Sequence, residues 1–267
     1  VPPNEAASAE LRKINESPVP GLRVVERVVE GATATVIAVH GGLDRGGSFS
    51  RIARRLQHLN LIAYDRRGYQ GSRSLGPLSL DEHVRDLEQL AEYASKRGPV
   101  IYFGHSYGGL ISLAGAVAPP PLVRLVIAYE PALPFSFRQH RPERTFSIDP
   151  AEEAERFFRR MVSDAAWERL SPAEKESRRQ DGPALLNDLE TLRDLSSLHL
   201  EGINVPTVYI YGDGGNSLNY EEMASRLAKQ IKEFTVIHID NAPHGAHLAN
   251  PDRLAAIVEQ EWEKQCA

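Results

Sequence analysis

The chain has 267 residues, 42% hydrophobic and 25% charged, proportions that exclude collagen-like, low-complexity and disordered classes. Lys plus Arg number 31 against 36 Asp plus Glu, a formal charge of -5, and clusters such as Arg51, Arg54 and Arg55 are interleaved with apolar residues, so no basic face offers itself to nucleic acid. The single cysteine, Cys266, rules out an intramolecular disulfide or a thiolate metal cluster, and the longest uncharged apolar stretch, residues 110–118, is far short of the ~20 residues that span a bilayer.

The start, Val1-Pro2-Pro3-Asn4-Glu5, has neither the basic nor the apolar region of a signal peptide. The expectation is a cytoplasmic protein acting on a small-molecule substrate, with neither nucleic acid nor membrane as partner; oligomeric state carries no signal.

Short β-branched runs alternate with longer amphipathic stretches, the pattern of a parallel sheet with crossover helices. Residues 22–29 predict an early, partly exposed strand, and 35–39 (TVIAV) a buried one that runs into the glycine-rich loop His40-Gly41-Gly42. Residues 48–56 are expected to be helical and 61–64 to form the next strand. Ser79 and Glu82 form a capping box, in which each side chain satisfies a free backbone donor at a helix start. The helix they open carries Val84, Leu87, Leu90, Ala91 and Ala94 on one face and stops at Gly98-Pro99. Residues 100–103 are a short buried strand, followed by Gly104-His105-Ser106-Tyr107-Gly108 and an apolar helix ending near Pro119. Residues 122–128 give another strand.

Between Pro131 and Gly202 the character changes. This stretch is rich in Arg and Glu, has helical period over 151–170 and 184–195, and offers no convincing strand. It reads as an inserted helical subdomain. The β/α pattern resumes with a strand at 207–211, a helix over 220–231, a strand at 235–239, a loop with His244 and His247, and a last helix from Pro251. The division expected is a core over 1–131 and 202–267 with a helical cap at 132–201.

Gly104-x-Ser106-x-Gly108 between a strand and a helix is the strongest chemical signal. A serine hydroxyl is a weak nucleophile unless it is exposed, strained and next to a base. A sharp strand-to-helix turn provides that, and flanking glycines spare it side-chain clashes. The turn also puts the amide of Tyr107 at a helix start, where it can donate to an oxyanion. His244 and His247 are the candidate bases; as a metal pair, His-x-x-His without nearby carboxylates or cysteines is weak.

In their order these motifs resemble the α/β-hydrolases. The resemblance runs through His40-Gly41-Gly42, Tyr64-Asp65-Arg66-Arg67-Gly68-Tyr69, Gly104-His105-Ser106-Tyr107-Gly108-Gly109 and Ala242-Pro243-His244-Gly245-Ala246-His247-Leu248 with Pro251. It implies an α/β fold with a mostly parallel central sheet flanked by helices and an inserted helical cap. It places the catalytic imidazole at His244, with His247 packing the start of the last helix, and His40 and His105 as packed turn residues. It also implies an oxyanion hole from the amides of Gly42 and Tyr107. One departure is Gln70-Gly71-Ser72, where the family usually has Gly first.

The orienting acid expected is Glu130, with Asp213 as the alternative. The family usually supplies it three residues past the glycine after the 207–211 strand, where this chain has Gly215. Asp213 is one candidate. Some members, including haloalkane-dehalogenase-like ones, carry the acid after the preceding strand, where this chain has Glu130. Phe135, Phe137, Phe146, Phe157, Phe158, Met161 and Trp167 fit cap core or cavity lining, and Arg138, Arg141 and Arg144 a surface charge run or an anion site. The resemblance implies a serine hydrolase that opens a small-molecule ester or related acyl bond through an acyl-enzyme on Ser106, with no metal or organic cofactor. Serine in place of Asp disfavours dehalogenase and epoxide-hydrolase chemistry. Acyl transfer remains open, and so does a slow-turnover or non-catalytic ligand receptor on the same fold.

Overall fold

The computed structural model describes residues 10–77, 79–134, 149–196, 198–214 and 220–266. Strands β1 (Arg12–Lys13) and β2 (Val24–Arg27) open the chain, the second shorter than the 22–29 run and the first without a sequence signal. β3 (Ala34–Val39), β4 (Leu59–Tyr64) and β5 (Val100–His105) are buried over their full length. β6 (Val123–Tyr129), β7 (Thr207–Gly212) and β8 (Phe234–Ile239) complete an eight-stranded sheet of order β1-β2-β4-β3-β5-β6-β7-β8. β2 runs antiparallel to β1 and β4, and every neighbouring pair from β4 to β8 is parallel. Strands covered on both faces need no inside–outside alternation, which is why β3 to β5 read as near-continuous apolar runs.

Two apolar layers sandwich the sheet. On one face lie α2 (Leu80–Ser95), α3 (Tyr107–Gly115) and α8 (Tyr220–Leu227), bringing Leu87, Leu90, Leu110, Ile111, Met223 and Leu227 into the core. On the other lie α1 (Ser50–Ala53) and α10 (Pro251–Cys266), with Ile52, Leu254, Ile257, Val258 and Trp262. The Ser79–Glu82 capping box opens α2, Ser79 N–H donating to Glu82 Oε2 over 3.0 Å.

Between β6 and β7 the helical insertion supplies α4 (Pro150–Met161), α5 (Asp164–Glu168), α6 (Pro172–Gln180) and α7 (Gly182–Asp194). The expected run over 151–170 divides at Ser163, whose hydroxyl accepts from Ala166 N–H over 3.0 Å and caps α5. α6 has no buried residue, so it leaves no apolar period to find. Phe158, Trp167, Ala184, Leu185 and Leu189 form a small core of their own that reaches Leu43 and Tyr69 of the sheet domain.

Other elements shrink or appear. The helix expected over 48–56 is a 3-10 turn at Gly46–Phe49 followed by α1 alone. A Cβ at Gly46 would stand 2.8 Å from the Tyr64 nitrogen, so this turn packs directly on backbone. α3 stops at Gly115, short of Pro119, and α8 at Leu227, although Ile231 N–H still bonds Leu227 O over 3.0 Å. The short helix α9 (Ala246–Ala249) precedes α10 and carries His247. Cys266 is exposed. No described helix is long and apolar enough to cross a membrane.

The chain leaves β3 toward β4 on one side and returns to β5 on the other. In open parallel sheets that switch point opens a crevice at the carboxyl ends of the strands.

Candidate active site

Ser106 follows β5 directly and takes φ 54° and ψ −122°, a left-handed turn that costs a non-glycine residue strain. The neighbouring glycines are obligatory for steric reasons. A Cβ on Gly104 would lie 2.3 Å from the Gly108 carbonyl oxygen, and one on Gly108 would lie 2.1 Å from that of Val39. Gly41 presses on Ser106 itself, where a Cβ would meet the serine Cβ at 2.8 Å. Tyr107 is the first residue of α3, so its amide has no carbonyl one turn back to bond and is free to donate.

His244 lies after β8, and its Nδ1 is 2.6 Å from Oε2 of Glu130, the residue after β6. A carboxylate accepts, so Nδ1 carries the proton and Nε2 keeps the lone pair. The other oxygen, Oε1, accepts from Gly212 N–H over 2.9 Å. Glu130 is 2% exposed and sits at φ 42°. Tyr129 donates its hydroxyl to Pro243 O over 2.7 Å, bracing the histidine loop. Burial, and then the charge of Glu130, push the Tyr129 and Tyr220 phenols far above their ordinary range.

Asp213 points elsewhere. Its Oδ1 accepts from Asn241 N–H over 2.5 Å, and its Oδ2 is 3.5 Å from His238. Gly215, the usual acid position, lies outside the described residues, as do Phe135, Phe137, Phe146, Arg138, Arg141 and Arg144.

The remaining histidines have distinct partners. His40 donates from Nδ1 to Gly41 O over 2.7 Å and accepts at Nε2 from Arg66 N–H over 2.9 Å, so it is neutral and held in one tautomer. Burial, then the Arg66 charge, lower its pKa to about 4. His105 donates from Nε2 to the His244 carbonyl over 2.8 Å, and His247 pairs with Asp44 at 3.1 Å.

Ser106, Tyr107, Gly42, Glu130 and His244 line one cavity of about 650 Å³. The insertion walls it with Phe157, Arg160, Met161 and Val162 from α4 and its end, and with Leu185, Leu189 and Leu192 from α7. The aromatic candidates therefore divide: Phe157 faces the cavity, whereas Trp167 is 1% exposed against Phe158 inside the insertion.

Sequence reading overlooked a second buried group beneath the His40-Gly41-Gly42 loop. The Arg66 guanidinium is fully buried between the rings of Tyr69 and Tyr107, 4.6 and 4.8 Å from their centroids. It donates to the carbonyls of His40 (3.0 Å) and Gly41 (3.3 Å) and grips Asp188 of α7 through two bonds of 3.2 and 2.6 Å. Tyr69 hydroxyl donates to the same carboxylate over 2.7 Å. Arg66 was visible only as part of a motif, and Asp188 gave no signal, because a buried acid on an amphipathic helix resembles a surface one until its partner is known.

A family model described as "Alpha/beta hydrolase family" matches residues 36–257. The chain is 30% identical over 109 residues to Lipase LipV of Mycobacterium tuberculosis, a match spanning 41% of each protein. It is 26% identical over 241 residues to a pimeloyl-[acyl-carrier protein] methyl ester esterase of Yersinia pseudotuberculosis, covering 84% of this chain and 91% of that one. Among solved structures, a thermophilic esterase from Thermogutta terrifontis superposes with a TM-score of 0.69 at 19% identity, covering 96% of this chain and 99% of that one.

Proposed function

The chain belongs to the alpha/beta hydrolase family, and we propose that it is a serine hydrolase that opens a small-molecule ester through an acyl-enzyme on Ser106. The observation that carries this reading is the 2.6 Å Glu130–His244 pair in the cavity that also holds Ser106. With Nδ1–H held by Glu130, Nε2 of His244 takes the Ser106 proton as Oγ attacks the acyl carbonyl. Glu130 stabilises the imidazolium that results. The amides of Gly42 and Tyr107 donate to the oxyanion, the alcohol leaves with the proton from His244, and water clears the acyl group by the same steps in reverse.

An ester as the scissile bond is supported by the names of the relatives, lipase and esterases. The substrate's character follows from the walls: Phe157, Met161, Leu185, Leu189 and Leu192 favour an apolar acyl or alcohol chain. Residues 132–201 act in this reading as the cap that closes over it. Gly215 in place of the usual acid would favour a non-catalytic binding protein, but the Glu130 carboxylate 2.6 Å from His244 supports the catalytic reading.

The test is a panel of p-nitrophenyl esters of increasing acyl length. Turnover is expected to favour medium apolar chains, and Ser106→Ala to lower it ~10⁴- to 10⁶-fold. A loss below about tenfold would contradict the assignment.

A further inference from the structure

Behind His244 lies a group of side chains that this reaction does not use. Asp44 comes from the loop after β3, His105 ends β5, and His247 sits in α9. One ligand-capable atom from each lies within 4.8 Å of the other two. His247 Nε2 is 3.1 Å from Asp44 Oδ2, and the His105 and His247 ring centroids are 4.4 Å apart. The imidazoles are 6% and 2% exposed. Among the described residues, Nδ1 of each is buried without a hydrogen-bond partner. Buried polar atoms are ordinarily satisfied, so the unpartnered Nδ1 of His105 in this cluster points to a ligand, while His247 faces Asp44 through Nε2.

The hydrogen bonding of His105 suits a cation. A carbonyl only accepts, so the 2.8 Å contact of His105 Nε2 with the His244 carbonyl places the proton on Nε2 and a lone pair on Nδ1. A neutral imidazole anchored through its remote N–H to a carbonyl is how proteins orient a metal ligand. Two imidazoles and one carboxylate suit zinc-class ions and offer too few oxygens for calcium.

We propose that Asp44, His105 and His247 bind a divalent cation of the zinc class, and that its occupancy inhibits the hydrolase. Metal–ligand bonds of about 2.0–2.1 Å set tetrahedral donors roughly 3.4 Å apart, so the three donors close by little more than an ångström, and water takes the fourth position. Asp44 keeps 17% of its side chain exposed, which gives the ion an entry. The His105 ring centroid is 4.7 Å from that of His244. A doubly charged ion on His105 therefore opposes the imidazolium that His244 must become. The inhibitory consequence rests on the catalytic reading above; the binding does not. The local His244-x-x-His247 spacing lacks this donor set, because the carboxylate and second imidazole come from Asp44 and His105, far away in the chain.

The full chain, freed of metal with chelator, would be titrated with Co²⁺ and then Zn²⁺. We expect one Co²⁺ per chain with the intense visible bands of a four-coordinate ion, displaced by Zn²⁺. Binding should be lost in His247→Ala and in Asp44→Asn, with circular dichroism confirming that each is folded. It should persist in His244→Ala and in His238→Ala, which probe the triad and the exposed Asp213–His238–Asp240 group. One equivalent of Zn²⁺ should lower wild-type ester turnover at least about fivefold, reversibly with chelator, and leave Asp44→Asn unaffected. Absence of the bands, binding that survives in folded His247→Ala and Asp44→Asn, or binding lost in His244→Ala would overturn the site. Binding without inhibition would overturn the regulatory half. Metal binding by a chain that turns over no ester would instead count against the hydrolase reading.

Discussion

At Ser106 the backbone turns through φ 54° and at Glu130 through φ 42°, and both side chains enter the same cavity. Left-handed non-glycine residues are strained, and they persist where the surroundings hold them. At Glu130 the hold is explicit: its N–H bonds Ile210 O over 2.9 Å, and Gly212 N–H returns to its carboxylate. Glu130→Gln preserves that shape but removes the charge that favours the imidazolium. We expect kcat to fall ~10³- to 10⁴-fold with KM little changed, while Asp213→Asn stays within about twofold of wild type. The reverse ranking would move the acid to Asp213. The nucleophile turn was legible because its requirements are local: a strand, a helix and glycines at fixed spacing. The candidate acid was harder to read, because Glu130, the residue expected, and Asp213, its alternative, each follow a strand, and only the direction in which each leaves the sheet separates them.

Among the elements, the joint between α7 and the loop after β4 is the most consequential. Arg66 ties Asp188 of the insertion to the carbonyls of His40 and Gly41, beside the Gly42 amide. Gln70 and Arg73 reach Asp181 at the foot of α7, so two ion-paired or hydrogen-bonded anchors hold the insertion down. This gives meaning to Gln70, which takes φ 43° where the family usually has Gly: its amide donates to Asp181 Oδ1 over 3.0 Å. Asp188→Ala would leave the fully buried Arg66 guanidinium without its carboxylate partner. Chemical denaturation should show a loss of about 3–5 kcal/mol; a loss under about 1 kcal/mol would mean the joint is dispensable. Periodicity found α2, α3, α4 and α7 because each buries an apolar face. It missed α6, which buries none, and overextended α1, which is too short to establish a period.

Over the whole molecule, several buried groups share one dependence on pH. Burial, then nearby Arg66, lowers His40 to about 4 and His83 well below the ordinary value. Below about 6.5 the unfolded chain takes up protons that the native chain refuses, so stability is full above that pH and declines as pH falls toward about 4. The melting temperature should drop progressively through this window; a flat profile would contradict neutral burial of His40 and His83. The sheet order, the insertion and the two strained turns bring Ser106, Glu130 and His244 to one cavity, and the proposed function turns on whether that serine is activated. The most direct test is to treat the intact protein with a small fluorophosphonate and map the adduct by peptide mass spectrometry. The account predicts one adduct, on Ser106, absent in His244→Ala and slowed in Glu130→Gln. Labelling of another residue, or labelling of Ser106 that proceeds unchanged without His244, would contradict it.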